Sequence, residues 1–113
     1  MDKILSYKDL VVWQKSMELV ENVYRLSLKL PQAERRGLMS QMRGAAVSVP
    51  SNIAEGYGRQ STGGYRHHLS ISRGSLLEVE TQVLLCEKLG IWKTFIRKRC
   101  LAKFSRSAKC WGP

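Results

Sequence analysis

Between Leu10 and Leu30 the apolar residues recur at intervals that an α-helix brings together, and they cover more of it than one buried stripe requires. At about 100° per residue, Leu10, Trp13, Met17, Val20, Tyr24 and Leu28 fall on one arc. Val12, Leu19, Val23, Leu26 and Leu30 fall on the next. Gln14, Lys15, Glu18, Glu21, Asn22, Arg25 and Lys29 fill the remainder, where Val11 is the one large apolar residue. A helix apolar over more than half its circumference is either central to its own domain or also covered by another subunit. In a chain of 113 residues the second is expected, with Val12, Leu19, Val23, Leu26 and Leu30 as the oligomer interface. This first helix is expected from Asp9, as N-cap, to Leu30, closed by Pro31.

A second helix is expected from about Glu34. Leu38, Met42, Ala45, Val49 and Ile53 make its apolar stripe, and Gly44, Ser48, Asn52 and Gly56 make a ridge of small residues beside it. Such a ridge lets another backbone approach to about 8 Å. Pro50 interrupts the pattern, but the stripe keeps its phase on both sides, so one continuous, kinked helix is expected. Ser61-Thr62-Gly63-Gly64 reads as a loop with a capping hydroxyl. Tyr65, Leu69, Ser72, Leu76, Val79, Val83 and Cys86 then alternate spacings of four and three, the pattern of helices crossing at a shallow angle. Gly74 is expected to face the ridge on helix two, and Leu89-Gly90 to stop the helix. A fourth helix, about Ile91 to Lys109, has Trp92, Ile96, Cys100, Phe104 and Trp111 on one side and Lys98, Arg99, Lys103, Arg106 and Lys109 on the other, with Lys93 and Arg97 projecting from the apolar side and Phe95 from the basic side. The expected fold is all-α: one domain spanning residues 1–113, an antiparallel up-down four-helix bundle.

The net charge is +10 and unevenly placed. Lys93, Arg97, Lys98, Arg99, Lys103, Arg106 and Lys109 follow Lys88 with no acid among them. This marks the chain as a binder of polyanions. No apolar run approaches the ~20 residues that span a bilayer, no secretory signal is seen, and a reducing cytoplasm suits three cysteines in no paired motif. No catalytic residue is expected. His67 and His68 are adjacent and cannot share a metal site on a helix, and there is no phosphate-loop motif. No metal, cofactor or small-molecule substrate is expected. Glu55 and Glu78 could face one another across helices two and three, but they are expected to accept from Arg43, Arg59, Arg73 or Asn52 in a structural polar network.

The stretches YKDLVVWQKSMELVENVYRL, SQMRGAAVSVPSNIAEGYGRQS and LSISRGSLLEVETQVLLCEKLG, in this order, resemble the bacterial family of 23S rRNA intervening-sequence proteins. The likeness runs from about Tyr7 to Gly90 and is most specific at VPSNIAEG. It implies a small cytoplasmic helical bundle that assembles as a homo-oligomer, a pentamer, with no enzyme activity. The family also looks like the accessory variability determinant protein of diversity-generating retroelements, which implies RNA or a reverse transcriptase as partner. Where family members carry a second arginine after Arg43, this chain has Gly44. After Gly90 the resemblance ends, and either divergence or a shifted reading frame would account for the all-basic segment. Two functions follow as expectations. The first is a non-catalytic oligomer holding nucleic acid electrostatically through Arg43, Arg59, Lys98, Arg99, Lys103, Arg106 and Lys109, with no aromatic platform evident. The second is a protein-interaction scaffold whose charge is incidental.

Overall fold

The computed structural model describes residues 4–102 and contains four α-helices, with no strand among them. Helix α1 spans Val11–Ser27, α2 Leu38–Gly58, α3 Thr62–Lys88 and α4 Thr94–Leu101. Helix α1 packs on α2, α2 on α3, and α4 bridges α3 and α1. The three residues between α2 and α3 reach at most about 10 Å, whereas α2 is about 31 Å long, so α3 must run back along it. The contacts agree. Val49 meets Ser72, Asn52 meets His68 and Gly56 meets Tyr65, so positions rise on α2 as they fall on α3.

Several boundaries differ from the sequence expectation, each for a local reason. Asp9 does not cap α1. Its carboxylate accepts from the backbone N–H groups of Leu5 and Ser6, at 2.8 and 3.1 Å, and closes a short 3₁₀ turn over Tyr7–Asp9. Helix α1 therefore begins two residues later, with Leu10 as N-cap and no side-chain cap. Glu34 ends a second 3₁₀ turn, Gln32–Glu34, and its carboxylate accepts from Leu38 N–H at 3.4 Å, so α2 starts at Leu38 rather than near Glu34. Pro50 lies inside α2, which continues unbroken through it. Ser61 caps α3 by accepting from Gly64 N–H at 3.0 Å. Gly90 ends it with φ +78°, its own N–H donating to Glu87 and that of Ile91 to Cys86, the paired closure that a left-handed glycine allows. Helix α4 begins at Thr94 rather than Ile91, because Ile91 and Trp92 still belong to the turn. The remainder of the expected fourth helix lies outside the described residues.

The core joins Val12, Leu19, Val23 and Leu26 of α1, and Leu30 just after it, to the stripes of α2 and α3, with Trp92 and Cys100 sealing the α4 side. The five residues expected at the oligomer interface are thus at most 5% exposed within the chain's own core. The reason is visible between the two arcs of α1. Ser16 and Ser27 are fully buried there, each donating its hydroxyl to the carbonyl three residues back at 2.8 Å. These small, internally satisfied positions draw the core toward the Val12 arc. Of the other arc, Leu10, Trp13 and Val20 are partly buried against this core, while Met17 is 42% exposed, Tyr24 39% and Leu28 68%.

Helices α2 and α3 make the closest seam. A Cβ on Gly56 would stand 2.8 Å from the Cβ of His68 and 3.3 Å from the carbonyl of Tyr65. Gly74, by contrast, has nothing within 4 Å and does not face the ridge; Ser72 and Ser75 do. Gly56→Ala is expected to destabilise the protein by about 1–3 kcal/mol through overpacking. Gly74→Ala is expected to stabilise it by about 0.5–1 kcal/mol, because an open mid-helix glycine only costs entropy. Urea midpoints of the two variants should move in opposite directions.

Candidate nucleic-acid interface

Two groups of polar residues occupy the bundle, and they lie apart. The first runs along the α2–α3 seam. Arg59 Nε–H, which can only donate, donates to His68 Nε2 at 3.3 Å, so the ring proton sits on Nδ1 and points to Asn52 Oδ1 at 3.1 Å. Asn52 Nδ2 donates in turn to the carbonyl and hydroxyl oxygens of Ser48, both at 2.9 Å. Ser75 also donates to Ser48 Oγ, at 2.9 Å. Glu55 lies 3.8 Å from both His68 Nδ1 and an Arg59 nitrogen. The side chains are linked from Arg59 through His68 and Asn52 to Ser48 and Ser75, which suits a structural role in fixing register.

This network contains Asn52 and Glu55 as expected, but neither Arg73 nor Glu78. Arg73 is exposed, and Glu78 instead accepts from Gln82 on its own helix at 3.4 Å. Glu78 lies ten residues beyond His68, about 15 Å along α3, so it cannot face Glu55. Sequence reasoning missed His68, Ser48 and Ser75. The signal was there: at ~100° per residue His68 falls beside Leu69 and Ser72 on the inner side of α3, while His67 falls outside.

The second group is the basic end formed by α4 and the neighbouring part of α1. Helix α4 is held in place by polar contacts from both sides. Trp92 Nε1–H donates to the carbonyl of Val83 at 3.1 Å, and Asn22 donates to the carbonyl of Cys100 at 3.3 Å. Glu87 accepts from Thr94 at 3.2 Å and forms an ion pair with Arg97. The hydrogen bond from Arg97 is the main reason the Glu87 carboxyl is held below its usual range; burial opposes it, and the charges of Arg97 and Lys98 and the hydroxyl of Thr94 add to it. Arg97, which projects from the apolar side in the sequence pattern, is thereby matched. Lys93, Lys98 and Arg99 are exposed, and none forms an ion pair among the described residues. Burial pushes the thiols of Cys86 and Cys100 up to about 11, so both stay protonated and unreactive at neutral pH.

The cations singled out in the sequence do not form one surface. Lys98 and Arg99 share α4. Arg43 sits near the start of α2, its guanidinium stacked 4.3 Å over the Tyr24 ring and its Nε donating to Ser27 at 2.8 Å. Arg59 lies just past the far end of α2, sixteen residues and about 24 Å away, committed to His68 and Glu55. Arg43 is half-buried in this contact, whereas Arg59 remains exposed. Lys103, Arg106 and Lys109 lie outside the described residues. What the sequence did not point to is a groove between α1 and α4, about 520 Å³, lined by Arg25, Lys29, Arg99 and Phe95 among others. Phe95 is 62% exposed, contrary to the expectation that no aromatic platform is present.

Among the described residues no three metal-binding side chains cluster, and no helix is long and apolar enough to cross a membrane. The sequence matches a protein-family model described as "23S rRNA-intervening sequence protein" over residues 8–110. The match runs on past Gly90, where the resemblance read from the residues stops. No curated protein matches the chain.

Glu87 contributes as a carboxylate, so its hold on α4 is complete above the ordinary carboxylate range and is lost as pH falls through its lowered folded value. Exchange of the Trp92 indole N–H, followed by NMR, is expected to stay slow down to a pH below that range and then to accelerate. In Glu87→Gln it should be severalfold faster at pH 7 and should lose this acid-dependent step.

Proposed function

Since the chain belongs to the 23S rRNA-intervening sequence protein family, we propose that it is a non-catalytic, self-associating bundle that binds RNA or other nucleic acid through charge. The carrying observation is the one-sided electrostatics of the α4 end. Of the four cations that α4 and its approach carry, Arg97 alone is in an ion pair among the described residues, and Lys29 and Arg25 of the α1 side, the latter paired with Glu21, line the same groove as Arg99. Phosphate contact requires only exposed Lys and Arg, and several copies in one assembly would multiply the local field. Arg43, stacked on Tyr24, and Arg59, paired with Glu55, stand apart from this groove.

Self-association is supported by the outer arc of α1. Met17, Tyr24 and Leu28 are exposed, and Val47 of α2 extends the patch through a concavity that also includes Tyr24 and Gly44. Hydrocarbon left facing water on two adjacent helices is the ordinary mark of an interface. We take the assembly to be a homo-oligomer, a pentamer by resemblance, in the cytoplasm, with RNA or a reverse transcriptase as further partner. The scaffold reading draws on a different observation, the exposed Leu77, Leu84 and Leu85 on the outside of α3. A partner protein retained after nuclease treatment would favour it.

Affinity for a short RNA is expected to fall at least about tenfold between 50 and 200 mM salt, as release of counterions from a few phosphates requires. Anisotropy titrations check this; an affinity indifferent to salt contradicts it. Met17→Lys combined with Leu28→Glu is expected to keep the helical circular-dichroism signal while sedimentation mass falls to that of a 12.9 kDa chain.

A further inference from the structure

We propose that Phe95 is a base-stacking platform, and that the basic concavities on its two sides make this end of the bundle a site for single-stranded nucleic acid. The inference deepens the functional reading above and rests on it.

Phe95 cannot serve the core. Trp92 of the preceding turn and Ile96 and Cys100 of α4 face the core, and Phe95 points away from them with most of its surface in water. It is also the shared wall of two concavities. On one side lies the groove with Arg25, Lys29 and Arg99. On the other lies a concavity of about 740 Å³ with Lys93 and Lys98. Five cations therefore flank one exposed aromatic ring; Arg25 is shared with Glu21 of its own helix in an exposed pair at 3.5 Å, and Lys29, Lys93, Lys98 and Arg99 form no ion pair among the described residues. The one carboxylate lining either concavity is Glu87, and it is already engaged by Arg97 and Thr94.

The ligand follows from this chemistry. A chain that lays phosphates on cations at both sides and an exposed π-face on the ring between them is an unpaired nucleic-acid strand. In a duplex the base faces are already stacked on one another, so Phe95 has nothing to receive. A protein partner would need a concentration of acids with an apolar residue at its centre, which gives no use for two separate basic walls. Of the other polar groups lining the concavities, Asn22 is tied to the Cys100 carbonyl and Thr94 to Glu87, and the cations sit on long exposed side chains, so RNA and DNA strands of equal length should bind alike and with little sequence preference.

The test uses the full chain with three labelled probes: a 12-nucleotide oligouridine, the matching oligothymidine and a 12-base-pair RNA duplex. Phe95→Ala is expected to weaken both single strands roughly tenfold while leaving duplex binding and the salt dependence unchanged. Phe95→Trp should restore single-strand binding. Lys29→Gln combined with Arg99→Gln should weaken all three probes and flatten the salt dependence. Because Phe95 is exposed, the melting temperature of its variants should match the parent. Wild-type protein that binds single strands equally well with and without Phe95, or that loses strand and duplex binding together on Phe95→Ala, overturns the inference but not the functional reading. Wild-type protein that binds none of the probes overturns the functional reading itself. A fall in assembly mass on Phe95→Ala would assign the ring to a contact between subunits and would also overturn the inference.

Discussion

The rest of the bundle depends on how closely α2 and α3 approach. Gly56 leaves room for the backbone of α3 beside Tyr65, and Ser72 donates its hydroxyl to the buried carbonyl of Val49 at 2.7 Å. Apolar packing alone would tolerate a slide along the heptad repeat, because Leu69, Leu76 and Val83 offer similar knobs every two turns. The polar pairs do not tolerate it. Such a slide would separate Ser75 from Ser48, His68 from Asn52 and Ser72 from Val49 together, leaving buried donors and acceptors unmatched, at roughly 1–3 kcal/mol each. The seam therefore sets register, and register decides which face each helix offers to α1 and α4.

On that frame α4 acts as a short closing element. Trp92 reaches the carbonyl of Val83, Cys100 is buried, and the pair between Glu87 and Arg97 ties α4 to α3. All these contacts join residues on opposite sides of Gly90. An acidic residue of α3 is answered by a basic residue of α4, and a hole on the α3 side is filled by a tryptophan, so the basic segment through Leu101 is fitted to the helices before it. With its apolar side and one arginine spent on docking, α4 leaves Phe95, Lys98 and Arg99 outward. The charge at this end is thus a consequence of how the bundle is closed.

Much of this was legible in the residues. The apolar stripes of α2 and α3, the passage of α2 through Pro50, the Ser61 cap and the stop at Gly90 all follow from spacing and local chemistry. What spacing does not convey is which of two adjacent apolar arcs on α1 faces inward. Both satisfy helical periodicity, and the choice falls to Ser16 and Ser27, whose hydroxyls bond back to their own helix and admit the neighbour. Gly74 misled for a related reason: a small residue in the right neighbourhood resembles a packing contact, yet its neighbours Ser72 and Ser75 are the ones turned toward α2. Glu78 and Arg73 misled because a charge network was inferred from residue type without the distance along α3. Helical spacing already put Phe95 on the basic side, but not the two concavities on either side of it, because those arise only once α4 docks on α1 and α3.

The central claim is that the α2–α3 seam is the most stable unit and that α1 and α4 are added to it. Native-state hydrogen exchange tests this directly, since it measures the opening free energy of each helix in the intact protein. Amides of α2 and α3 on either side of the seam, those of Val49, Ile53, Ser72 and Leu76 among them, should exchange only through global unfolding. Amides of α4 should open at clearly lower free energy. If α4 or α1 holds its protons as long as the seam does, or longer, register is set elsewhere and the account is contradicted.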